Sequence, residues 1–362
     1  TKELPGASPA MLPWLRNRTV FLSLMDLGFS LPDYEEIPIS VAMTEEQAEQ
    51  YEQLRDRLKR ALKQRLQQGD NRLLGAYLAA LLYWPDSPWR PELVVNPESK
   101  WKLERGVALD EAEIVAQVPG LSENIVFPKE QAILDLVQQE KANGRRCVLY
   151  CQQTGIRDIT PRWLDLFERH GLQAAVLKAP PEKREAWVEK QVQAGVDVII
   201  THPKKVQTGL DLLDFPTLIW MGQEFSVYTL LQARRRAWRL GPAQPVKVYF
   251  FQYQNTLQDS AMRLIAAKVA AAIRVNGDTI EGGSIATLDE SGQDMMAILA
   301  KIAIHGERSV IDLQDAFAQA NREMKRVNQF VGNFAFTAET TPRKDTAVHR
   351  PRPARPSILV NG

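Results

Sequence analysis

Four arginines, Arg234, Arg235, Arg236 and Arg239, fall within six consecutive positions, and no acidic residue stands among them. Guanidiniums crowded without local partners repel one another, and such a cluster suits a place where an anion is handled. On a helix, Gln232, Arg235, Arg236 and Arg239 would share one face through their three- and four-residue spacings. A solvated basic helix face is the alternative that the run alone leaves open. Its neighbours in sequence shift the balance.

Upstream lie Asp197-Val198-Ile199-Ile200-Thr201, a polar stretch ending Gln207-Thr208-Gly209-Leu210-Asp211, and Thr217-Leu218-Ile219-Trp220-Met221. Val246-Lys247-Val248-Tyr249-Phe250 follows. Short apolar runs rich in β-branched residues, separated by glycine-containing loops and helical patterns, predict buried strands of a parallel α/β sheet. Arg146 to Cys151 predicts the first strand of this sheet and Ala174 to Leu177 the second, with one helix over 159–170 and another that follows Lys183-Arg184 and reaches Gln193. Gly171 and Gly195 stand where helix C-caps are needed. Gln152-Gln153-Thr154-Gly155 then falls at the carboxyl end of a strand, where open α/β sheets place functional loops.

This order resembles the second RecA-like lobe of superfamily 2 helicases and translocases, closest to the Swi/Snf-type branch. Gln232, Arg236, Arg239 and Gly241 are similar to that family's last helicase motif, with Arg235 in place of its glycine and Pro242 in place of its glutamine. Gln207 to Asp211 resembles the preceding motif, with Asp211 in place of asparagine. The resemblance implies that Arg236 and Arg239 are catalytic, reaching the γ-phosphate of ATP across a lobe interface. It places Gly209, Asp211 and Gln232 at the cofactor. It also implies nucleic-acid backbone contacts from Gln152, Gln153, Thr154, Lys204, Lys205 and Thr208, whose amides, hydroxyls and ammoniums suit phosphates. Further upstream, Trp14 to Arg18, Leu31 to Glu36, Met43-Thr44, Gln47 and Tyr51 resemble the stretch joining the two motor lobes. Lys129 resembles the lysine of the family's serine-x-lysine entry to the second lobe, with Phe127 in the serine position.

The implied architecture is a RecA-like parallel sheet flanked by helices, with an N-terminal helical region and a C-terminal helical extension. Residues 1–126 read as inter-lobe linker and helical insertion, 127–275 as the lobe, 276–335 as helical accessory extension, and 336–362 as a basic, proline-rich flexible tail. Thr44 is a credible N-cap with Gln47 completing a capping box, and a second helix spans 71–82. Residues 90–126 read as a loop-rich insertion with one short helix around 110–118.

Composition is ordinary for a soluble protein, and 45 basic against 44 acidic residues leave a net charge of +1, so attraction to nucleic acid must come from local patches. Cys147 and Cys151 read as free core thiols in a reducing cytoplasm. Four scattered histidines suggest no metal site, and no apolar run approaches the roughly 20 residues that cross a bilayer. No glycine-rich phosphate loop is present, and neither Asp110-Glu111 nor Asp289-Glu290 supplies the acidic motif that would follow one. The chain is therefore expected to be part of a larger motor. An N-terminal RecA-like lobe of the same parent would bind most of the ATP and Mg, double-stranded DNA would be the track, and further proteins could join the complex. Bacterial genome maintenance or defence against foreign DNA is one setting that would suit such a motor, and the piece alone should not hydrolyse ATP. A binding or scaffold module with degenerate ATP coupling is the second reading, motivated by Asp211, Arg235 and Pro242.

Overall fold

The computed structural model describes residues 33–155, 157–206, 210–222, 237 and 244–264. The chain opens with β1 (Tyr34–Val41), α1 (Glu45–Gln67) and α2 (Leu74–Tyr83), then β2 (Glu92–Val95), α3 (Lys100–Glu104) and β3 (Ile114–Val118). It continues through α4 (Pro128–Ala142), β4 (Cys147–Tyr150), α5 (Thr160–Arg169), β5 (Ala174–Val176) and α6 (Arg184–Gln193). The last elements are β6 (Val198–Thr201), α7 (Pro203–Val206), β7 (Thr217–Trp220) and β8 (Val246–Tyr253), with a helix described over 257–264.

Strands β4, β6 and β7 are buried at every position. Such runs are satisfied as central strands with both faces covered. They belong to a six-stranded sheet in the order β1-β8-β7-β4-β6-β5, parallel throughout. Ile133, Leu134 and Val137 of α4 and Trp163, Leu166 and Phe167 of α5 pack with Cys147, Leu149, Ile200 and Phe251 on one face. Val188 of α6 and Val206 of α7 pack with Val148, Ile199, Trp220 and Phe250 on the other. Gly171 and Gly195 end α5 and α6 with φ of 68° and 75°, a backbone state that favours glycine. Cys147 and Cys151 are buried and unbridged, and burial pushes both thiols well above their usual range.

A third core forms where Tyr51, Leu54, Leu58 and Leu62 of α1 meet Tyr77, Leu78 and Leu81 of α2, with Trp84, Val94, Ala116 and Val118. Leu257 and Ala261 enter this core while Met262 enters that of the sheet, so the helix after β8 seals the helical unit to the lobe. Thr44 caps α1, its hydroxyl accepting from the Gln47 amide at 3.2 Å. The Gln47 side chain instead donates to the Pro85 carbonyl at 3.1 Å, and the Tyr51 hydroxyl accepts from the Leu257 amide at 2.8 Å.

Two features differ from the sequence reading. The sheet does not start after Phe127: its edge strand β1 comes from within the stretch read as linker and pairs with β8 from Tyr34↔Val246 to Val41↔Tyr253. Pro38 and paired glutamates disguise this strand, but an edge tolerates a missing N–H that a central strand cannot. The helix expected around 110–118 is a 3-10 turn over Glu111–Glu113 followed by β3, which pairs antiparallel with β2. The Glu113 carboxylate accepts from the Asp110 amide at 2.9 Å, as at a helix start, yet the β-branched Ile114 and Val115 continue as strand. Beyond β3, a β-carbon on Gly120 would lie 2.2 Å from the Trp89 carbonyl oxygen, so this close crossing requires glycine. The limits at 275 and 335, and the tail, lie outside the described residues.

Candidate functional site

Because the sheet is parallel, the loops leaving β4, β6 and β7 share one edge. The connection from β4 leads toward β5 on one side and that from β7 toward β8 on the other. Loops diverge between these neighbouring strands, which is where open α/β sheets form a ligand crevice. Here the insertion covers it. Gln153, 7% exposed, donates through its side-chain amide to the Tyr83 carbonyl at 3.0 Å and accepts from the Ser87 hydroxyl at 3.4 Å. Arg90 donates to the Asp158 carbonyl at 2.7 Å, and Arg157 makes two 2.6 Å bonds to Glu92. The expected phosphate contact from Gln153 therefore gives way to a structural role, because its amide already fastens the helical unit to the loop after β4. Gln152 and Thr154 are half-buried beside it.

The loop after β6 is clasped reciprocally. Arg184 donates to the carbonyls of Ala179 at 3.3 Å and Lys205 at 2.6 Å, while the Lys205 ammonium donates to the Leu177 carbonyl at 3.0 Å. Lys205 thus ties the ends of β5 and β6 together, whereas Lys204 is exposed. Asp211 is exposed between the buried Leu210 and Leu212. Its two flanking leucines anchor the segment and leave the carboxylate at the surface. Thr208 and Gly209 lie outside the described residues, as do Gln232, Arg234, Arg235, Arg236 and Arg239. Ala237, within the arginine run, is buried in the core on the α6 side of the sheet.

A buried polar node stands at the carboxyl end of β7. The Lys129 ammonium, in the first turn of α4, donates to Asp86 Oδ1 at 2.6 Å, Gln258 Oε1 at 2.7 Å and the Met221 carbonyl at 3.2 Å. It also lies 4.6 Å from the centre of the Tyr253 ring. Three acceptors use all three N–H bonds of an ammonium; a neutral amine would leave one without a donor. Burial pushes the Lys129 pKa down and that of Asp86 up, and the charge of each partner opposes the other's shift. The space among Pro85, Asp86, Phe127, Lys129 and Met221 admits no water. Sequence reasoning noted Lys129 only as part of a motif. It missed Asp86 and Gln258, whose roles depend on contacts 43 and 129 residues away in the chain.

Phe127 has no hydroxyl with which to cap α4. Glu130 instead accepts from the Phe127 amide at 2.9 Å, while the Phe127 ring stacks on Trp89 at 6.1 Å. No described helix is long and apolar enough to cross a membrane.

No protein-family model matches the chain. Over 153 residues it is 26% identical to the chromatin-remodeling ATPase INO80 of Mycosarcoma maydis, covering 42% of this chain and 8% of that protein. Over 188 residues it is 25% identical to chromodomain-helicase-DNA-binding protein 1-like of Danio rerio, covering 49% and 18%. Helicase SWR1 of Saccharomyces cerevisiae is 23% identical over 206 residues, covering 55% and 13%. The chain thus spans less than one fifth of the length of each of these relatives. Among solved structures, the C-terminal part of the Fun30 ATPase domain is similar with a TM-score of 0.50 at 12% identity, covering 77% of this chain and all of that one. At that identity the likeness is one of fold.

Proposed function

We propose, for a chain similar in sequence to the Swi/Snf-type ATPases of superfamily 2 and folded like their C-terminal RecA-like lobe, that it serves as the second lobe of an ATP-dependent translocase or helicase on double-stranded DNA. The observation that carries this reading is the parallel sheet whose single carboxyl edge presents the loops after β4, β6 and β7. The residues of those loops follow the family's motif order, and the arginine run lies between β7 and β8.

In this reading the N-terminal RecA-like lobe of the parent holds most of the ATP and its Mg, which supply the phosphoryl group and its neutralising charge. From this chain, Gly209, Asp211 and Gln232 face the nucleotide; the exposed Asp211 between two anchoring leucines suits that position. Arg236 and Arg239 stabilise charge building on the transferred group, a task for rigid, permanently charged guanidiniums. Gln152, Thr154, Lys204 and Thr208 contact the DNA backbone, fixing position without reading sequence. Closure on ATP and reopening after hydrolysis step the lobes along the duplex. The chain alone hydrolyses no ATP. A cytoplasmic role in bacterial defence gains no support from the relatives named above, which come from eukaryotes.

A binding or scaffold module is the second reading, favoured by Asp211, Arg235 and Pro242 at motif positions that usually hold other residues. The deciding experiment compares DNA-stimulated ATP hydrolysis by the full-length parent, its Arg236→Ala variant and this chain. Strong activity in the parent alone supports the split site. An inactive parent, or one indifferent to Arg236→Ala, moves the binding-module reading ahead.

A further inference from the structure

Lys178, Lys183, Arg184, Lys204 and Lys205 crowd two neighbouring loops beyond the carboxyl ends of β5 and β6, and among the described residues none of them forms an ion pair. Elsewhere in the lobe cations are matched, as Arg162 is with Glu130, Arg145 with Glu140 and Lys141 with Asp197. Like charges brought together without carboxylates repel one another and suit a surface that receives an anion.

Two of the five cations are spent on holding the loops. Arg184 donates to the carbonyls of Ala179 and Lys205, and Lys205 donates to that of Leu177. Lys178 stands between Leu177 and Ala179, so the carbonyl on either side of it is tied down by a cation. Pro180 and Pro181 stiffen the turn that follows. The main chain carrying Lys178 is thus fixed while its side chain is exposed, and a preorganised backbone lowers the ordering cost of a contact. Glu182 and Glu185 flank Lys183 in sequence and offset its charge. Lys178 and Lys204 remain as the exposed, unmatched pair.

The sheet sets this pair in one row with the loop after β4. Its order there is β4-β6-β5. The Leu177 amide donates to the Ile200 carbonyl and the Cys151 amide to the Thr201 carbonyl, each at 2.9 Å, so the chain leaves all three strands at one level. Extending the registers puts Gln152 and Lys178 on either side of the β6 loop, two strand spacings or about 10 Å apart at the main chain. The insertion's bonds fall at the ends of β4 and β7, on the other side of this row.

We infer that Lys178 is a further DNA-backbone contact: the phosphate track read above at Thr154 and Lys204 continues over the edge strand β5 and ends against Lys178. This inference rests on that reading. A duplex backbone fits better than a protein partner, because no large apolar side chain is exposed on either loop to form the core of a protein interface.

The test measures duplex binding by the full-length parent from about 50 to 200 mM salt. It compares Lys178→Ala, Lys178→Arg, Lys204→Ala and, as a control, Lys190→Ala, which lies exposed in the last turn of α6. All four sites are on the lobe surface or its margin, so each variant should melt within about 2 °C of the parent. Lys178→Ala should reduce the salt slope of log K by about 0.9 and weaken binding about threefold or more at the lowest salt. Lys178→Arg and Lys190→Ala should keep the parental slope. A parental slope in Lys178→Ala beside a reduced one in Lys204→Ala overturns the extension and leaves the Lys204 reading standing. Parental slopes in both overturn the DNA reading of this edge and the inference with it. Equal losses in Lys178→Ala and Lys190→Ala mark a response to net charge alone and also overturn the inference.

Discussion

Replacing Arg162 with alanine should destabilise the lobe by about 3–4 kcal/mol, near the lower end of the roughly 3–5 kcal/mol that follows removal of one partner from a buried ion pair. Arg162 donates to Glu130 through Nε at 2.5 Å and Nη2 at 2.8 Å, and the side chains are 12% and 3% exposed. It also donates to the Glu123 carbonyl at 2.9 Å and the Ile125 carbonyl at 2.7 Å. Its guanidinium carbon lies 4.2 Å from the centre of the Trp89 ring and 5.5 Å from that of Phe127. Truncation strands the Glu130 carboxylate and removes a cation–π contact worth about 1–2 kcal/mol in a desolvated setting. These losses overlap and do not add. Glu130 retains the Phe127 amide as a donor, and water entering the vacated space recovers part of the solvation. Those two compensations place the expected cost near the lower end.

For a domain of this size, such a loss lowers Tm by about 6–16 °C. Arg162→Lys keeps the charge but loses the planar fork and the stacking, and should recover less than half of the deficit. Glu130→Gln in the Arg162→Ala background removes the stranded charge and should raise Tm again. Thermal melting of the four proteins tests this, with limited proteolysis reporting whether residues 119–127 become cleavable as the insertion loosens. A loss below about 1 kcal/mol for Arg162→Ala, or no recovery in the double variant, would refute the claim that Arg162 clamps the insertion to the lobe.

Two further predictions concern charges nearer the surface. The Ser99 hydroxyl, the Asp110 amide and the Lys102 ammonium hold the Glu113 carboxyl down to about 2, from an ordinary value of 4.5. A depressed folded-state pKa contributes stability that is present above pH 4.5 and lost as pH falls toward 2. Amide protection across residues 96–113 should decline over that window, and Glu113→Gln should flatten the decline. At the proposed DNA-facing edge, Lys204→Ala should weaken duplex binding by the parent and reduce the salt slope of log K by about 0.9, the loss of one phosphate contact. Lys205→Ala should leave that slope unchanged and lower Tm, because its ammonium is spent on the Leu177 carbonyl. Equal slopes for the parent and Lys204→Ala would remove Lys204 from the interface.

The parallel sheet was legible because its central strands are buried on both faces and so read as continuous apolar runs. Helix ends were legible where backbone chemistry is local, as at Thr44, Gly171 and Gly195. The insertion was misread because its local and long-range signals disagree. The Glu113 carboxylate accepts from the Asp110 amide as at a helix start, but only one 3-10 turn follows before Ile114–Val118 pairs with Glu92–Val95. The polar nodes were less legible still. A glutamine after a strand carries the same local signal whether it faces solvent or bonds another element, and only the fold shows that Gln153 bonds Tyr83.

That distinction narrows the surface available to a nucleic acid. In many open α/β sheets the crevice at the switch between strands is the binding site. Here Ser87 and Asp86 reach the ends of β4 and β7, the Lys129 node seals the space beneath them, and Arg90 and Arg157 bind down the outer flank. A backbone track through the crevice would have to break several hydrogen bonds to charged groups, each worth about 1.5–3 kcal/mol, before gaining a phosphate contact. A path across Thr154 toward the exposed Lys204, over the ends of β4 and β6, breaks none of these. Thr154 and Lys204 stand on the loops after these two strands, which pair from Cys147↔Val198 to Tyr150↔Thr201, so that path crosses a single strand spacing of about 5 Å.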